Sequence, residues 1–315
     1  LAGIDAQTVM ITHAFQLKPA QENAQFFFHK RNEYKAIKKE GEWQSNYSPS
    51  QYGFLKQDYE QDISRLYKEI NDFNPNIIIT MGGLGLWALT SIDKVGSYRG
   101  ALTYSNKTKL NRPYKIMPTY SPFAVLKNYS FRPTVVSDLK KAMQESTTAD
   151  IVNTEREIYI EPTYEEVKTF FKECREENNE DNPLSFDIET ASGEITCIGF
   201  APSPKRSMVV PFRDITKKSQ TFYDYHTELA VWKEVADLLQ DKTIVKVAQN
   251  QTYDVSWLNH KYGIEVAGTV HDTMHAQHSL QPEMEKGLGF LGSIYTNEGA
   301  WKNLTSFSKS TKAEE

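Results

Sequence analysis

Asp187 and Glu189 stand two positions apart at the end of a largely apolar stretch, residues 183–190, and have the clearest chemical potential in the chain. Successive side chains of a strand alternate between its faces, so this spacing predicts a strand that projects both carboxylates together and buries Phe186 and Ile188. Neighbouring carboxylates repel unless a cation neutralises them, and carboxylate oxygens suit Mg²⁺ or Mn²⁺. The stretch therefore predicts a metal site. Its less specific interpretation is an edge strand that ends in acidic residues by chance.

Two later segments also place polar side chains directly after an apolar run. Residues 243–248 predict a buried strand, and beyond it Asn250 precedes Asp254 by four residues, which puts both on one face of a helix. Residues 271–273 (His-Asp-Thr) open a further helix. The position of Asp272 at a helix start favours a cap of the first turn over a metal ligand.

The order of these motifs resembles that of one nuclease family. Asp187-x-Glu189, Asn250-x-x-x-Asp254 and His271-Asp272-Thr273 together are similar to the proofreading 3′–5′ exonuclease of family-A DNA polymerases, in the DEDD nuclease superfamily. The resemblance covers roughly residues 155–305, and the tail from Pro282 to Trp301 is most similar to the bacteriophage branch. It implies a ribonuclease H-like fold with a mixed sheet.

The resemblance also implies roles for individual residues. Asp187 bridges two divalent ions, Mg²⁺ or Mn²⁺; Glu189 and a fourth acid complete the first ion, and Asp254 holds the second through water. Thr190, Asn250 and Tyr253 contact the DNA. The implied substrate is the single-stranded or frayed 3′ end of a primer–template, and the product is a nucleoside 5′-monophosphate.

The fourth acid of the family, an Asp in a Tyr-x-x-x-Asp motif, has no counterpart here, because no Asp follows Asp272. We therefore expect the chain to be a fragment, with the polymerase domain of the same full-length chain beyond Glu315. Asp272 and His278 are expected to support the site without binding metal, His278 by packing or hydrogen bonding. His271 and His275 are spaced for a transition metal, but the further ligands of a zinc site are not evident.

The first half of the chain alternates predicted strands and helices, an α/β pattern. Residues 30–54 between them are predicted to be a polar surface loop. The elements predicted from apolar runs and periodicity are strands over 9–15, 77–81 and 114–119 and helices over 55–73 and 133–143.

This order resembles the uracil-DNA glycosylase superfamily, chiefly its microbial branches, on residues 11–13, 74–82, 98–100 and 118–126. The family implies a three-layer fold. Its catalytic His is replaced by Ser121 and its uracil-reading Asn by His13. Losing such an electrostatic stabiliser typically costs about 10²–10³ in rate, so the resemblance predicts an inactive, degenerate pocket.

Residues 144–150 are polar and aperiodic, which places a boundary there. We predict a glycosylase-like domain over 1–146, a linker over 147–155 and an exonuclease domain over 156–315. Two functional alternatives stay open: a non-catalytic platform that binds DNA or the replisome, and a uracil-DNA glycosylase-like repair module.

Composition narrows the setting. The net charge of −5 argues against extensive nonspecific phosphate binding, although a small exonuclease pocket needs only a local basic patch. Two distant cysteines, Cys174 and Cys197, indicate a reducing compartment and exclude a four-cysteine iron–sulfur cluster. No apolar run approaches the ~20 residues of a membrane span. We therefore expect a soluble, cytoplasmic protein, in an infected bacterial host if the chain is viral.

Overall fold

The computed structural model describes residues 2–19, 23–41, 44–214, 216–217 and 220–301. These residues form two compact units, a mixed α/β arrangement with mixed sheets. The first unit contains the residues up to Asn153 and those from Gly289 onward, and the second contains Thr154–Leu288. The division at residue 153 lies inside the predicted linker. Residues 289–301, which the sequence assigns to the second domain, group with the first unit.

The first unit consists of short strands and more numerous helices. A two-stranded antiparallel sheet pairs β1 with β2, and a three-stranded sheet has the order β3-β5-β4, with β3 and β5 parallel. The strands are β1 (Phe28–His29), β2 (Phe54–Leu55), β3 (Ile77–Met81), β4 (Thr103–Tyr104) and β5 (Lys115–Thr119). The helices are α1 (Arg31–Glu40), α2 (Glu60–Phe73), α3 (Gly83–Thr90), α4 (Val95–Tyr98), α5 (Pro122–Lys127) and α6 (Phe131–Glu145), with α11 (Leu288–Tyr295) returning from the far end of the chain.

Two predictions for this unit are wrong, and a third is wrong only in its starting residue. Residues 9–15 form no strand, and Ile11 is 82% exposed. The backbone here has no ladder partner; Arg65 of α2 holds it by donating to the His13 carbonyl oxygen at 2.6 Å. Residues 31–40 are helical where a loop was predicted, because Glu33 and a left-handed Gly41 delimit a helix. The helix predicted from residue 55 begins at Glu60, since Leu55 pairs in β2.

Buried charges attach α11 to the first unit. Arg99 donates two hydrogen bonds to the Asp138 carboxylate, at 2.7 and 3.2 Å. Its guanidinium lies 4.7 Å from the centre of the Phe290 ring. The Lys141 ammonium donates to the carbonyl oxygens of Gly100 at 2.7 Å and Ser293 at 3.0 Å. A cation at the end of a helix stabilises the last carbonyls. Helix α11 is therefore an integral part of this unit.

The second unit is built on one six-stranded sheet in the order β11-β10-β7-β8-β9-β6. Strands β7, β8 and β9 form an antiparallel meander, while β10 and β11 add parallel strands beside β7. The strands are β6 (Glu157–Tyr159), β7 (Leu184–Ala191), β8 (Glu194–Ser203), β9 (Arg206–Pro211), β10 (Lys246–Ala248) and β11 (Val270–Asp272). The helices are α7 (Tyr164–Glu177), α8 (Tyr225–Leu239), α9 (Gln251–Tyr262) and α10 (Thr273–Leu280).

Local signals set the ends of these helices. Thr163 and Glu166 form a capping box at the start of α7, and each side chain accepts a hydrogen bond from the other residue's backbone amide. Helix α9 ends at Gly263, whose φ of 66° is the left-handed conformation that glycine adopts at helix ends. The apolar faces of α7 and α8 pack with the buried side of the sheet into a continuous core that includes Phe171, Phe186 and Val235.

Lys246 is buried at the start of β10, next to the central strand. Its ammonium donates to three backbone carbonyl oxygens, those of Asp241 at 2.7 Å, Ile244 at 3.0 Å and Ala267 at 2.8 Å. Burial lowers the pKa of Lys246 to about 8, against the smaller opposite effect of the Asp241 carboxylate. The residue thus ties together the two connections that lead into β10 and β11. Over the described ranges, no helix is both long and apolar enough to span a membrane.

Candidate active site

Strand β7 presents the two predicted acidic side chains together. Phe186 and Ile188 are buried, whereas Asp187 and Glu189 between and beyond them are exposed, so the predicted alternation is confirmed. The pairing with β8 shifts register immediately after Glu189. An irregularity of this kind bends a strand and re-aims its side chains, and such features recur beside active sites.

Asp254 reaches the same strand from helix α9. Its carboxylate Oδ1 accepts a hydrogen bond of 2.9 Å from the backbone N–H of Ile188, the residue between the two exposed acids. This N–H is available because β10 pairs with β7 only at Leu184 and Ser185 and ends before it could pair with Ile188. The structure therefore brings the Asp254 carboxylate to the backbone between Asp187 and Glu189, although 65 residues separate Asp254 from Glu189 in sequence.

The electrostatics of Asp254 reflect this placement. The residue is only 3% exposed, and burial raises the pKa of its carboxyl group. The hydrogen bond from Ile188 offsets part of that increase, while the negative charges of Asp272 and Glu189 add to it. A cation bound nearby would relieve both the burial and the repulsion, so the carboxyl group of Asp254 has the surroundings of a metal ligand.

The donor chemistry fits hard divalent cations, since all three side chains offer carboxylate oxygens. Even so, the described residues contain no group of three or more His, Cys, Asp or Glu side chains arranged to hold a metal ion. Asp187 and Glu189 are both exposed on the strand. Their convergence on shared metal ions stays a prediction.

Two of the three predicted DNA-contacting residues meet next to the acids. The hydroxyl groups of Thr190 and Tyr253 are 2.7 Å apart and share a hydrogen bond. Tyr253 is 46% exposed, so its ring is accessible to a nucleotide. Asn250, the third, is exposed and has φ 59° and ψ 47°, a left-handed conformation that Asn tolerates better than most residues. It makes no side-chain cap bond to α9.

Asp272 has the predicted capping role and a second one that the sequence did not indicate. It caps α10 by accepting from the amides of Met274 and His275, and it also accepts from the amides of Asn250 and Gln251 at the start of α9. Burial alone would raise the pKa of Asp272, but these amides outweigh it and lower the pKa. The cap prediction is confirmed.

The remaining predicted residues lie elsewhere. His278 is exposed in the last turn of α10. In the first unit His13 is exposed on the irregular segment that the sequence predicted to be a strand. Ser121 is the N-cap of α5, its hydroxyl accepting from the Ala124 amide at 3.2 Å. Cys197 pairs with Glu189 across the sheet, a proximity that the sequence did not indicate, and burial is the main cause that raises the pKa of its thiol.

Residues 162–312 match a 3′–5′ exonuclease family model, DNA_pol_A_exo1. The matched segment is just under half of the chain and contains every predicted catalytic residue. A comparison with curated proteins finds no match. The polymerase and glycosylase resemblances receive no support from these comparisons.

Solved structures similar to the chain are also exonuclease domains. One is the EXD2 exonuclease domain soaked in Mn and GMP, with 18% identity over 44% of this chain and 68% of that chain and a TM-score of 0.31. Another is the Nibbler EXO domain of Aedes aegypti, with 10% identity over 48% and 73% of the two chains and a TM-score of 0.35. Similarity at these TM-scores adds no argument about this chain, so the family match stands on its own.

Proposed function

We propose that the second unit is a metal-dependent exonuclease that removes nucleotides from the 3′ ends of DNA. The observation that carries the proposal is the hydrogen bond of 2.9 Å that the Asp254 carboxylate accepts from the amide of Ile188, the residue between Asp187 and Glu189 in the sequence. The arrangement lies within the segment that matches the exonuclease family. Together they support hydrolysis of a phosphodiester held at the exposed face of β7.

The three carboxylates would hold two divalent ions, Mg²⁺ or Mn²⁺, which when bound activate a water molecule and stabilise the charge on the reacting phosphate. Burial keeps Asp254 in a low-dielectric setting, where its charge acts more strongly than in water. The hydroxyl pair of Thr190 and Tyr253 would orient the terminal nucleotide, with the exposed Tyr253 ring against its base or sugar. Asn250 would contact the same nucleotide from the start of α9.

The wider setting is also a proposal. The motif order supports DNA as the substrate and a polymerase domain of the same polypeptide as the partner. A mispaired or frayed 3′ end would then enter the site more readily, because fewer base-pairing interactions must be broken. An RNA substrate is the alternative that the test below distinguishes.

The decisive experiment follows the shortening of a 5′-labelled single-stranded DNA with Mg²⁺ or Mn²⁺. We expect a slowly developing ladder that shortens from the 3′ end and disappears with EDTA; the rate is low because the fourth acid of the family pattern has no counterpart here. Asp187→Ala should reduce the rate by about 10²–10³, since losing a metal ligand removes several kcal/mol of transition-state stabilisation. Glu265→Gln, which neutralises an exposed acid of the same unit, is the matched control.

Three outcomes would refute the proposal: equal rates for Asp187→Ala and the unaltered protein, shortening from the 5′ end, or no metal-dependent cleavage. If cleavage is absent while the DNA still shifts in a gel, the non-catalytic platform becomes the better interpretation. Parallel reactions with RNA and with a mismatched primer–template test the substrate and the proofreading setting.

For the first unit we propose a glycosylase-like scaffold that does not excise uracil. The hydroxyl of Ser121 is occupied as a helix cap, and His13 is exposed on an irregular segment. Uracil-containing single-stranded DNA should yield no abasic sites above the buffer control. Excision that disappears in Ser121→Ala would overturn this view.

A further inference from the structure

Asp272 accepts four backbone hydrogen bonds from two different helices. Oδ1 accepts from Met274 at 2.8 Å, from His275 at 3.3 Å and from Asn250 at 3.2 Å, while Oδ2 accepts from Gln251 at 2.9 Å. Residue 272 is 7% exposed. An N-cap ordinarily accepts hydrogen bonds from the amides of one helix only. A carboxylate that is shared between the starts of two helices therefore does more than cap one of them.

Helix α9 depends on this arrangement because it has no cap of its own. The residue at its N-cap position, Asn250, is left-handed and makes no side-chain bond to the helix. The first amides of a helix need an acceptor when they are partly buried. Asp272 supplies it from the end of the neighbouring strand, since β10 and β11 pair Ala248 with Asp272. The carboxylate thus fixes where the first turn of α9 begins.

The first turn of α9 carries Asp254, three residues after Gln251. Asp254 in turn bonds the Ile188 amide on β7. We propose that Asp272 is a positioning residue that holds Asp254 against β7 through the amides of Asn250 and Gln251. The inference rests on the proposed exonuclease function for its catalytic meaning, but the physical link between Asp272 and α9 can be tested without it.

An Asp272→Asn substitution separates this role from simple capping. Asn is as good an N-cap as Asp, so it can keep the bonds to Met274 and His275 through its amide oxygen. The NH₂ group of Asn then faces the Gln251 N–H, and because both groups are donors they cannot bond. In the unaltered protein Oδ2 of Asp272 accepts from that N–H at 2.9 Å. If the amide turns the other way, the cap of α10 is lost instead. No orientation of Asn satisfies both helices.

The experiment compares Asp272→Asn with Asp224→Asn in the full chain. Asp224 is a matched control, because it caps α8 alone by accepting from the amides of His226 and Thr227. Cleavage kinetics are measured with 5′-labelled single-stranded DNA over a range of DNA and Mg²⁺ concentrations. Amide hydrogen exchange of a peptide covering residues 249–256 is measured in the absence of DNA and metal.

For Asp272→Asn we expect kcat to fall about 10- to 100-fold, because displacing a catalytic group by an ångström can cost that much. The KM for DNA should change little, and the half-saturating Mg²⁺ concentration should rise. Exchange over residues 249–256 should become faster. Asp224→Asn should leave all four quantities near those of the unaltered protein. If Asp272→Asn does not fold, Asp272→Ser, which can still cap α10, is used in its place.

Unchanged exchange over residues 249–256 in a folded variant would overturn the inference, whatever the kinetics. So would a fall in kcat of equal size in Asp224→Asn, which would show a general effect of helix-cap loss. If the unaltered protein cleaves no DNA, the exonuclease proposal fails by that result alone. The exchange data then still decide whether Asp272 holds the start of α9.

Discussion

Replacing Lys246 with Met should remove a rise in the free energy of unfolding of the second unit between pH 7 and pH 9. Lys246 is fully buried, and its ammonium bonds three backbone carbonyls at the start of β10. Its pKa falls to about 8 from the ordinary 10.5, mainly through burial. The folded unit therefore releases this proton at a lower pH than the unfolded chain does.

The sign and size of the effect follow from this shift. Below about pH 8 the lysine is charged in both states, and burying the charge lowers the free energy of unfolding. Between about pH 8 and 10.5 the unfolded chain binds more protons than the folded unit, so stability rises with pH. A shift from 10.5 to about 8 gives a gain of about 1 kcal/mol between pH 7 and pH 9, and about 3 kcal/mol in full.

Other groups titrate in the same range with the opposite sign. Burial raises the pKa of Cys174 to about 12 from 9.0, so its contribution to stability falls as the pH rises through 9. The comparison between the unaltered protein and Lys246→Met removes such shared terms. The expected quantity is the difference between the two proteins: from pH 7 to pH 9 the unaltered unit should gain about 1 kcal/mol relative to the variant.

Pulse proteolysis in a urea series, followed by mass spectrometry of peptides from residues 154–288, reports the unfolding of this unit separately. Lys242→Met is the matched control, because Lys242 is exposed in the connection that leads into the same strand. Its pH profile should parallel that of the unaltered protein. Parallel profiles for Lys246→Met as well would refute the reasoning and mean that the buried amine titrates as it does in water.

Three further outcomes are expected. Thr163→Ala should lower the free energy of unfolding of the second unit by about 1 kcal/mol in urea denaturation, since it removes the capping box of α7. Tyr253→Phe removes the hydroxyl bonded to Thr190 and should raise the KM for DNA about threefold to tenfold, as expected for one hydrogen bond; an unchanged KM would exclude the pair from substrate positioning. Gly100→Ala should lower the melting temperature of the first unit, because Gly100 has a φ of +70° and an added Cβ would lie 2.8 Å from the Asp138 carboxylate. Gly287→Ala should have little effect, because the space around Gly287 is open.

The features that the sequence predicted well are those specified by nearby residues. The alternation around Asp187 and Glu189 follows from the two-residue period of a strand, and strand β3 has the predicted bounds, Ile77–Met81. The capping box at Thr163 is likewise a local signal. Such signals survive folding because the same short segment supplies every group involved.

The features that the sequence could not predict depend on distant partners. Residues 9–15 have the apolar character of a strand but pair with no strand in the part of the chain that the structure describes, so their composition was misleading. The bonds from Asp272 to α9 exist because the pairing of β10 with β11 sets two helix starts side by side. The grouping of α11 with the first unit depends on Arg99 and Lys141, well over a hundred residues earlier in the chain.

This return of α11 has a thermodynamic consequence for the second unit. Its roughly 135 residues leave the first unit after Asn153 and re-enter it at Gly289, so they form a closed loop as long as α11 stays docked. A closed loop has fewer unfolded conformations than a free chain, and for a covalent link across ~100 residues the difference amounts to about 4–5 kcal/mol. The contacts of Lys141 and Arg99 with α11 are non-covalent, so the stabilisation that they give by closing the loop cannot exceed the free energy of those contacts. Weakening these contacts would therefore destabilise the second unit, which carries the acidic residues, without removing any contact within it.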